Sequence, residues 1–287
     1  MKITDIFNKK PKVGLALGGG GAKGLAHVPL FEALDELGVV PHMISGTSIG
    51  AILGAMYASG LSGRQIREGI EELSWDDEDR ISDVFLKKNV VKWFEFIELS
   101  IKSGGLLKVD KFMSFLSDMI RVTDFEDLQI PLKVVAADFW ERKQVVFDSG
   151  DLPGAVQASM ALPAIFNPVV MDQTVLVDGG TVNPVPFDLL KDECDIVIGV
   201  NVMGKREEGE DLIPSYSEAI FNTFQIYQRA ILDEKLKHNP PDILIEPDIL
   251  DIKVLDFFKA DQVFEQAEPA KEELKDHLIR ILGLEEI

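Results

Sequence analysis

Two stretches in the first sixty residues constrain the fold more than anything else in the chain. "KVGLALGGGGAKGLAHVPLF" and "VVPHMISGTSIGAILGAMYASG" each pass from an apolar strand through a glycine turn into a helix. That rhythm belongs to a parallel sheet, whose strands need helical crossovers to return to the same edge. The spacing of Leu30, Leu34 and Leu37 predicts the first helix, with Gly38 ending it. The pattern resumes later. "PLKVVAADF", "QVVFDSG", "TVLVDGG", "CDIVIGVNV" and "DILIEPDI" read as strands. "GRQIREGIEELSW", "SYSEAIFNTFQIYQRAIL" and "FEQAEPAKEELKDHLIRILG" read as helices, the last carrying Pro269. An α/β fold with a mostly parallel central sheet is expected, as one domain over 1–287. Its motif-bearing core is 12–203, followed by an extension at 212–287.

At 287 residues and 46% hydrophobic, the chain can bury a large core. Its net charge of −20 argues against nucleic acid as a partner. Cys194 is the one cysteine, which rules out an internal disulfide and fits a reducing compartment. No signal-peptide pattern or run long enough to span a membrane is found, so a cytoplasmic protein is expected, peripheral to membranes at most. The candidate contact is 84–108, "VFLKKNVVKWFEFIELSIKSGGLLK", which carries five lysines against two glutamates, plus Phe85, Trp93, Phe94 and Phe96. Such a segment lies on a lipid surface, covers a pocket as a lid, or is an ordinary amphipathic helix. The charged stretch 204–215 reads as a surface loop.

Three mechanisms put glycines between a strand and a helix. Gly19, Gly21 and Gly24 match the dinucleotide fingerprint, but the acid expected at the end of the second strand is missing from "MISG". A phosphate-binding P-loop fails, because Lys23 is followed by Gly24 rather than Ser or Thr. The third is an oxyanion hole, in which consecutive amides converge at a helix N-terminus.

"GTSIG" places Ser48 between Gly46 and Gly50, after a strand and before a small-residue helix. This is the setting of a nucleophile elbow; the competing role is a serine that caps the helix. A nucleophilic serine needs a base. Of the four histidines, only His238 and His277 follow Ser48, and neither sits just past a strand end. Asp178 in "VLVDGGTVNPVP" does, followed by Gly179 and Gly180, although an Asp-Gly turn is also common for structural reasons alone. A Ser48–Asp178 pair would follow the same nucleophile-plus-base logic without histidine.

"GGGAKG" (19–24), "GTSIG" (46–50) and "DGG" (178–180) resemble, in order, the three signature motifs of the patatin-like phospholipases. "ASMALPAIFNPV" (158–169) resembles the block before that family's aspartate. The resemblance spans about 13–186 and implies a three-layer α/β/α fold. It also implies hydrolysis of acyl esters of lipids without metal or other cofactor, through an acyl-enzyme on Ser48 with Asp178 as base. Gly19, Gly20 and Gly21 would supply oxyanion-hole amides, and Lys23 would hold the family's basic position. Two other functions stay open: a dinucleotide-binding protein using the glycine loop, and a non-catalytic regulator on the same fold.

Overall fold

The computed structural model describes residues 11–72, 119–120, 122–163, 165–204, 216–254 and 256–284. The basic, aromatic segment 84–108 and nearly all of the 204–215 loop lie outside them. Eight strands form one sheet: β1 (Val13–Leu17), β2 (Met43–Thr47), β3 (Leu132–Asp138), β4 (Lys143–Phe147), β5 (Val169–Met171), β6 (Thr174–Asp178), β7 (Ile196–Val200) and β8 (Ile243–Ile245). Their order is β5-β6-β3-β2-β1-β7-β8, with β4 also paired to β3. The run β3-β2-β1-β7-β8 is parallel, and β4, β5 and β6 are antiparallel additions.

Helices cover both faces of the parallel part. They are α1 (His27–Glu36), α2 (Ile49–Ala58), α3 (Gly63–Glu71), α4 (Leu152–Ser159), α5 (Tyr216–His238) and α6 (Ala260–Leu282). Alternate residues of each strand serve different layers. Leu15, Leu17, Ile44, Ile198 and Val200 pack in the cluster that holds α1, α2 and α6. Ala16, Met43 and Val197 face Val185, Phe187, Leu190 and Leu232 of α5, with Cys194 packed on the same cluster. Coverage on both sides explains why β1, β2 and β7 are wholly buried and why β1 and β7 read as unbroken apolar runs. The expected three-layer α/β/α architecture is the one found.

Two elements escape the periodicity. β5 has three residues, and α4 begins "LPG", with Asp151 capping it by accepting from the Gly154 N–H at 3.1 Å. Pro269 does not break α6, which runs through it from Ala260 to Leu282. The apolar face of α6 packs on α1 there, and Lys271 and Arg67 of α3 converge on Glu32 of α1.

One feature of the sheet builds the site. The Pro131 carbonyl accepts from Ile44, and the Phe139 N–H donates to the Val175 carbonyl. Both residues are odd-numbered, so both turn toward the same edge of β3. On that edge β2 pairs with Leu132–Val135 and β6 with Ala136–Asp138. Since β6 is antiparallel, the carboxyl ends of β2 and β6 meet head-on at the Val135–Ala136 junction. β4 takes the opposite edge of β3.

Candidate active site

Ser48 follows the last residue of β2 and Asp178 is the last residue of β6, so the head-on junction brings them together. Ser48 is strained, with φ 55° and ψ −124°. A non-glycine residue holds such a conformation only where its surroundings impose it. Ser48 occupies the N-cap position of α2, but its side chain makes no capping hydrogen bond. Its backbone carbonyl instead accepts from Ala51 and Ile52 at 2.9 and 3.2 Å, and the hydroxyl is directed to Asp178. Gly46 lies within β2, in register with Leu17 and Val134. Gly50 is required by packing: a Cβ there would sit 2.3 Å from the Leu17 carbonyl oxygen.

Asp178 is buried, at 2% exposure. Burial raises its carboxyl to about 6, opposed by hydrogen bonds from the Ser48 side chain and the Gly180 N–H. The Gly180 amide donates at 2.7 Å, which fixes the carboxylate. Gly179 lies on the Val135 carbonyl, at the strand junction itself. A carboxyl poised near neutrality beside a strained serine is suited to exchanging a proton with it.

The glycine loop closes the third side. Gly19 abuts Ser48, with 3.3 Å between its would-be Cβ and the serine Cβ. Its N–H, however, donates to the Pro184 carbonyl at 3.1 Å. The expectation of three free amides is corrected accordingly: Gly19 is committed to the fold, because its amide ties the loop to the segment after Asp178. Among the described residues no acceptor is found for the N–H of Gly20 or Gly21, which open a 3₁₀ turn over Gly21–Ala26. Gly21 has φ 59° and meets the Val254 carbonyl, so no side chain fits there. Lys23 is buried, and its Nζ donates to the Met203 carbonyl at 2.7 Å. Burial lowers its pKa. It braces the loop against the chain after β7. His27, at the start of α1, is also wholly buried and donates from Nε2 to the Gly18 carbonyl across 2.9 Å. Desolvation pulls it to about 4, so it stays neutral.

The sequence reading missed three contributors. Ser159, at the end of α4, accepts from the Ser48 N–H at 2.8 Å and donates to the Val135 carbonyl at 2.6 Å. It bridges the strained serine to the strand junction. It lies in "ASMALPAIFNPV", the block that resembles the one before the family's aspartate, and the structure buries it wholly. Asn183–Pro186, the "NPVP" after the aspartate turn, is the common strut. Asn183 donates its N–H to Gly179 and accepts from the Thr47 hydroxyl, Pro184 accepts from Gly19, and Pro186 accepts from the Ser45 hydroxyl. It thereby ties together all three motif regions. Lys235 of α5 then clamps the strut. Its Nζ bonds Asn183 Oδ1, Asp188 Oδ1 and, at 2.9 Å, the Val185 carbonyl, and lies 4.5 Å over the Phe187 ring. Gln228, two turns earlier on α5, packs on Gly180.

His238 is exposed on α5 beside Glu234, and His277 is half-buried on α6 beside Glu273. A surface groove of about 340 Å³ lies over the Lys235 clamp, lined by Gln144, Asn183, Asp188 and His238 among others; Ser48 and Asp178 are not in its walls. Among the described residues no His/Cys/Asp/Glu cluster suited to a metal ion is found, and no helix is long and apolar enough to cross a membrane.

Comparison with known proteins identifies the family of the chain. A family model described as patatin-like phospholipase matches residues 15–191, which include Ser48, Asp178 and the glycine loop but not α5. An uncharacterized NTE family protein of Mycobacterium tuberculosis is 30% identical over 198 residues, covering 69% of this chain and 51% of that one. Patatin-like phospholipase domain-containing protein 7 of Rattus norvegicus is 30% identical over 220 residues, 76% of this chain and 15% of that one. The chain thus spans about half the length of the mycobacterial relative and far less of the rat protein. The crystal structure of VipD from Legionella pneumophila shares the fold, with a TM-score of 0.52 at 14% identity over 94% of this chain and 67% of that one. With the family model matching well over half of its length, the chain belongs to the patatin-like phospholipase family.

Proposed function

We propose that this protein is a serine-dependent lipid acyl hydrolase of the phospholipase A, lysophospholipase or carboxylesterase type. The observation that carries the reading is the strained, uncapped Ser48 with its side chain turned toward buried Asp178 at the β2–β6 junction. Asp178 takes the Ser48 proton as Oγ attacks the acyl carbonyl. The carbonyl oxygen gains the negative charge and is held by the Gly20 and Gly21 amides. Collapse of this intermediate expels the alcohol, which leaves with the proton from Asp178, and the acyl group stays on Ser48. Asp178 then removes a proton from water, which attacks the acyl-enzyme and releases the fatty acid and free Ser48.

A dinucleotide reading of the glycine loop has less support. Val254 backbone crowds Gly21, Val202 backbone crowds Gly20, and no acid ends β2.

Labelling with a fluorophosphonate probe, read by intact mass, tests the reading. One adduct on the wild type, none on Ser48→Ala and slowed labelling of Asp178→Ala are expected. An unlabelled wild type in the presence of lipid micelles, or substantial ester turnover by Asp178→Ala, overturns it.

A further inference from the structure

The turn joining β3 to β4 carries two exposed aromatic residues side by side. Phe139 is 48% and Trp140 71% exposed. Their rings pack edge to face, with centroids 4.9 Å apart. The turn is held from beneath: the Asp138 carboxylate accepts from the Trp140 and Glu141 N–H groups at 3.0 Å each, and the Asp138 carbonyl accepts from Arg142. The aromatic pair is therefore displayed on an ordered support, and little entropy remains to be lost on contact.

Its position in the sheet is informative. Ala136 pairs with Asp178, and Phe139 lies three residues further along the same strand. At roughly 3.3 Å per residue, the tip stands about 10 Å beyond the proposed base, past the same end of the sheet. Phe139 donates to Val175, which is in register with Val170, itself 68% exposed. The apolar patch therefore continues across β6 to the edge strand. Arg142 and Lys143, both exposed, follow the aromatics after a single exposed acid, Glu141, in a chain of net charge −20. Exposed Trp and Phe backed by cations is the composition of a headgroup-level anchor: the rings sit at the interface and the cations meet phosphates.

We propose that the Phe139–Trp140 turn, with Val170, is a lipid-surface anchor that seats the mouth of the site on a membrane or micelle. The identity of the surface rests on the lipid-hydrolase reading above, which this inference deepens.

Binding is measured with Ser48→Ala protein, so no lipid is consumed, by flotation on phosphatidylcholine–phosphatidylglycerol vesicles. The wild-type tip is expected to bind, and Phe139→Ser/Trp140→Ser to lose about tenfold or more in partitioning. Both side chains are exposed, so the variant keeps its fold. In a protein with Trp75 and Trp93 changed to Phe, Trp140 emission should shift to the blue on vesicles and be quenched by brominated lipid. In the Ser48-containing enzyme, the tip variant should lose vesicle hydrolysis while turnover of a soluble short-chain ester stays within about twofold. Equal vesicle binding with and without the aromatics, or an unchanged Trp140 emission on bound protein, overturns the anchor. Failure of the soluble-ester reaction in the wild type strikes the hydrolase reading instead, since the binding arms need no activity.

Discussion

Replacing Asp178 by asparagine should make the protein more stable and inactive at once. The Asp178 carboxyl stands at about 6 in the folded protein against 3.8 for a free aspartate, chiefly through burial. Its folded pKa is raised, so its contribution favours the fold fully below the unfolded value and is lost as pH rises through the folded one. Ionised near pH 7, the buried carboxylate costs ~3 kcal/mol relative to the acid limit; the cost is roughly half that near pH 5 and about 0.5 kcal/mol near pH 4. Asparagine keeps an oxygen to accept from the Gly180 N–H and offers an amide to the Ser48 oxygen, so the hydrogen bonds survive without the charge. For a chain of this size ~3 kcal/mol raises Tm by about 5 °C. Thermal scans of both proteins from pH 4 to 8 should show a gap that is largest above pH 6 and closes toward pH 4. Wild-type kcat/KM on a soluble ester should fall to about a tenth by pH 5, as the base protonates. An asparagine variant no more stable than wild type near pH 7, or a gap indifferent to pH, refutes the argument that Asp178 is held ionised at the expense of stability.

The supporting residues give three further tests. Ser159→Ala leaves the Ser48 N–H and the Val135 carbonyl without their bridge. Stability should drop by about 1–3 kcal/mol in denaturant melts, and kcat by roughly 10- to 100-fold. Lys235→Met keeps an unbranched side chain of similar length but abandons the cation over Phe187 and three acceptors, two of them on the strut. A loss of ~3 kcal/mol or more in stability and a fall in kcat larger than any rise in KM are expected, with partial rescue by arginine. Gly50→Ala should fail to fold, because its methyl group meets the Leu17 carbonyl, whereas Gly38→Ala, in open space at φ 63°, should cost only about 1 kcal/mol in the same melts.

The local grammar of this chain was legible in its residues. β1, β2, β3, β7 and the long helices declared themselves because apolar periodicity and glycine punctuation act over a few residues. β5 and α4 did not, since three residues carry no period and "LPGAVQAS" opens with two residues that usually signal a turn. The glycine string was read as a set of amides, yet the fold uses Gly19 to fasten the loop to Pro184. That contact joins residues far apart in sequence, and no local pattern encodes it.

The sequence alone determined which residue types stand at each strand end: a serine between glycines, an aspartate before two glycines, a glycine-rich turn before a helix. Steric limits on backbone and side chain set those choices within each segment. Only the tertiary structure decided that they meet. β6 runs antiparallel along the same edge of β3 as β2, on the stretch beyond β2's end, so the two carboxyl ends abut and Ser48 faces Asp178. Ser159, the "NPVP" strut and Lys235 then lock that meeting with hydrogen bonds between distant segments. Such contacts form only once the whole sheet has closed, because each needs both partners desolvated and fixed in place.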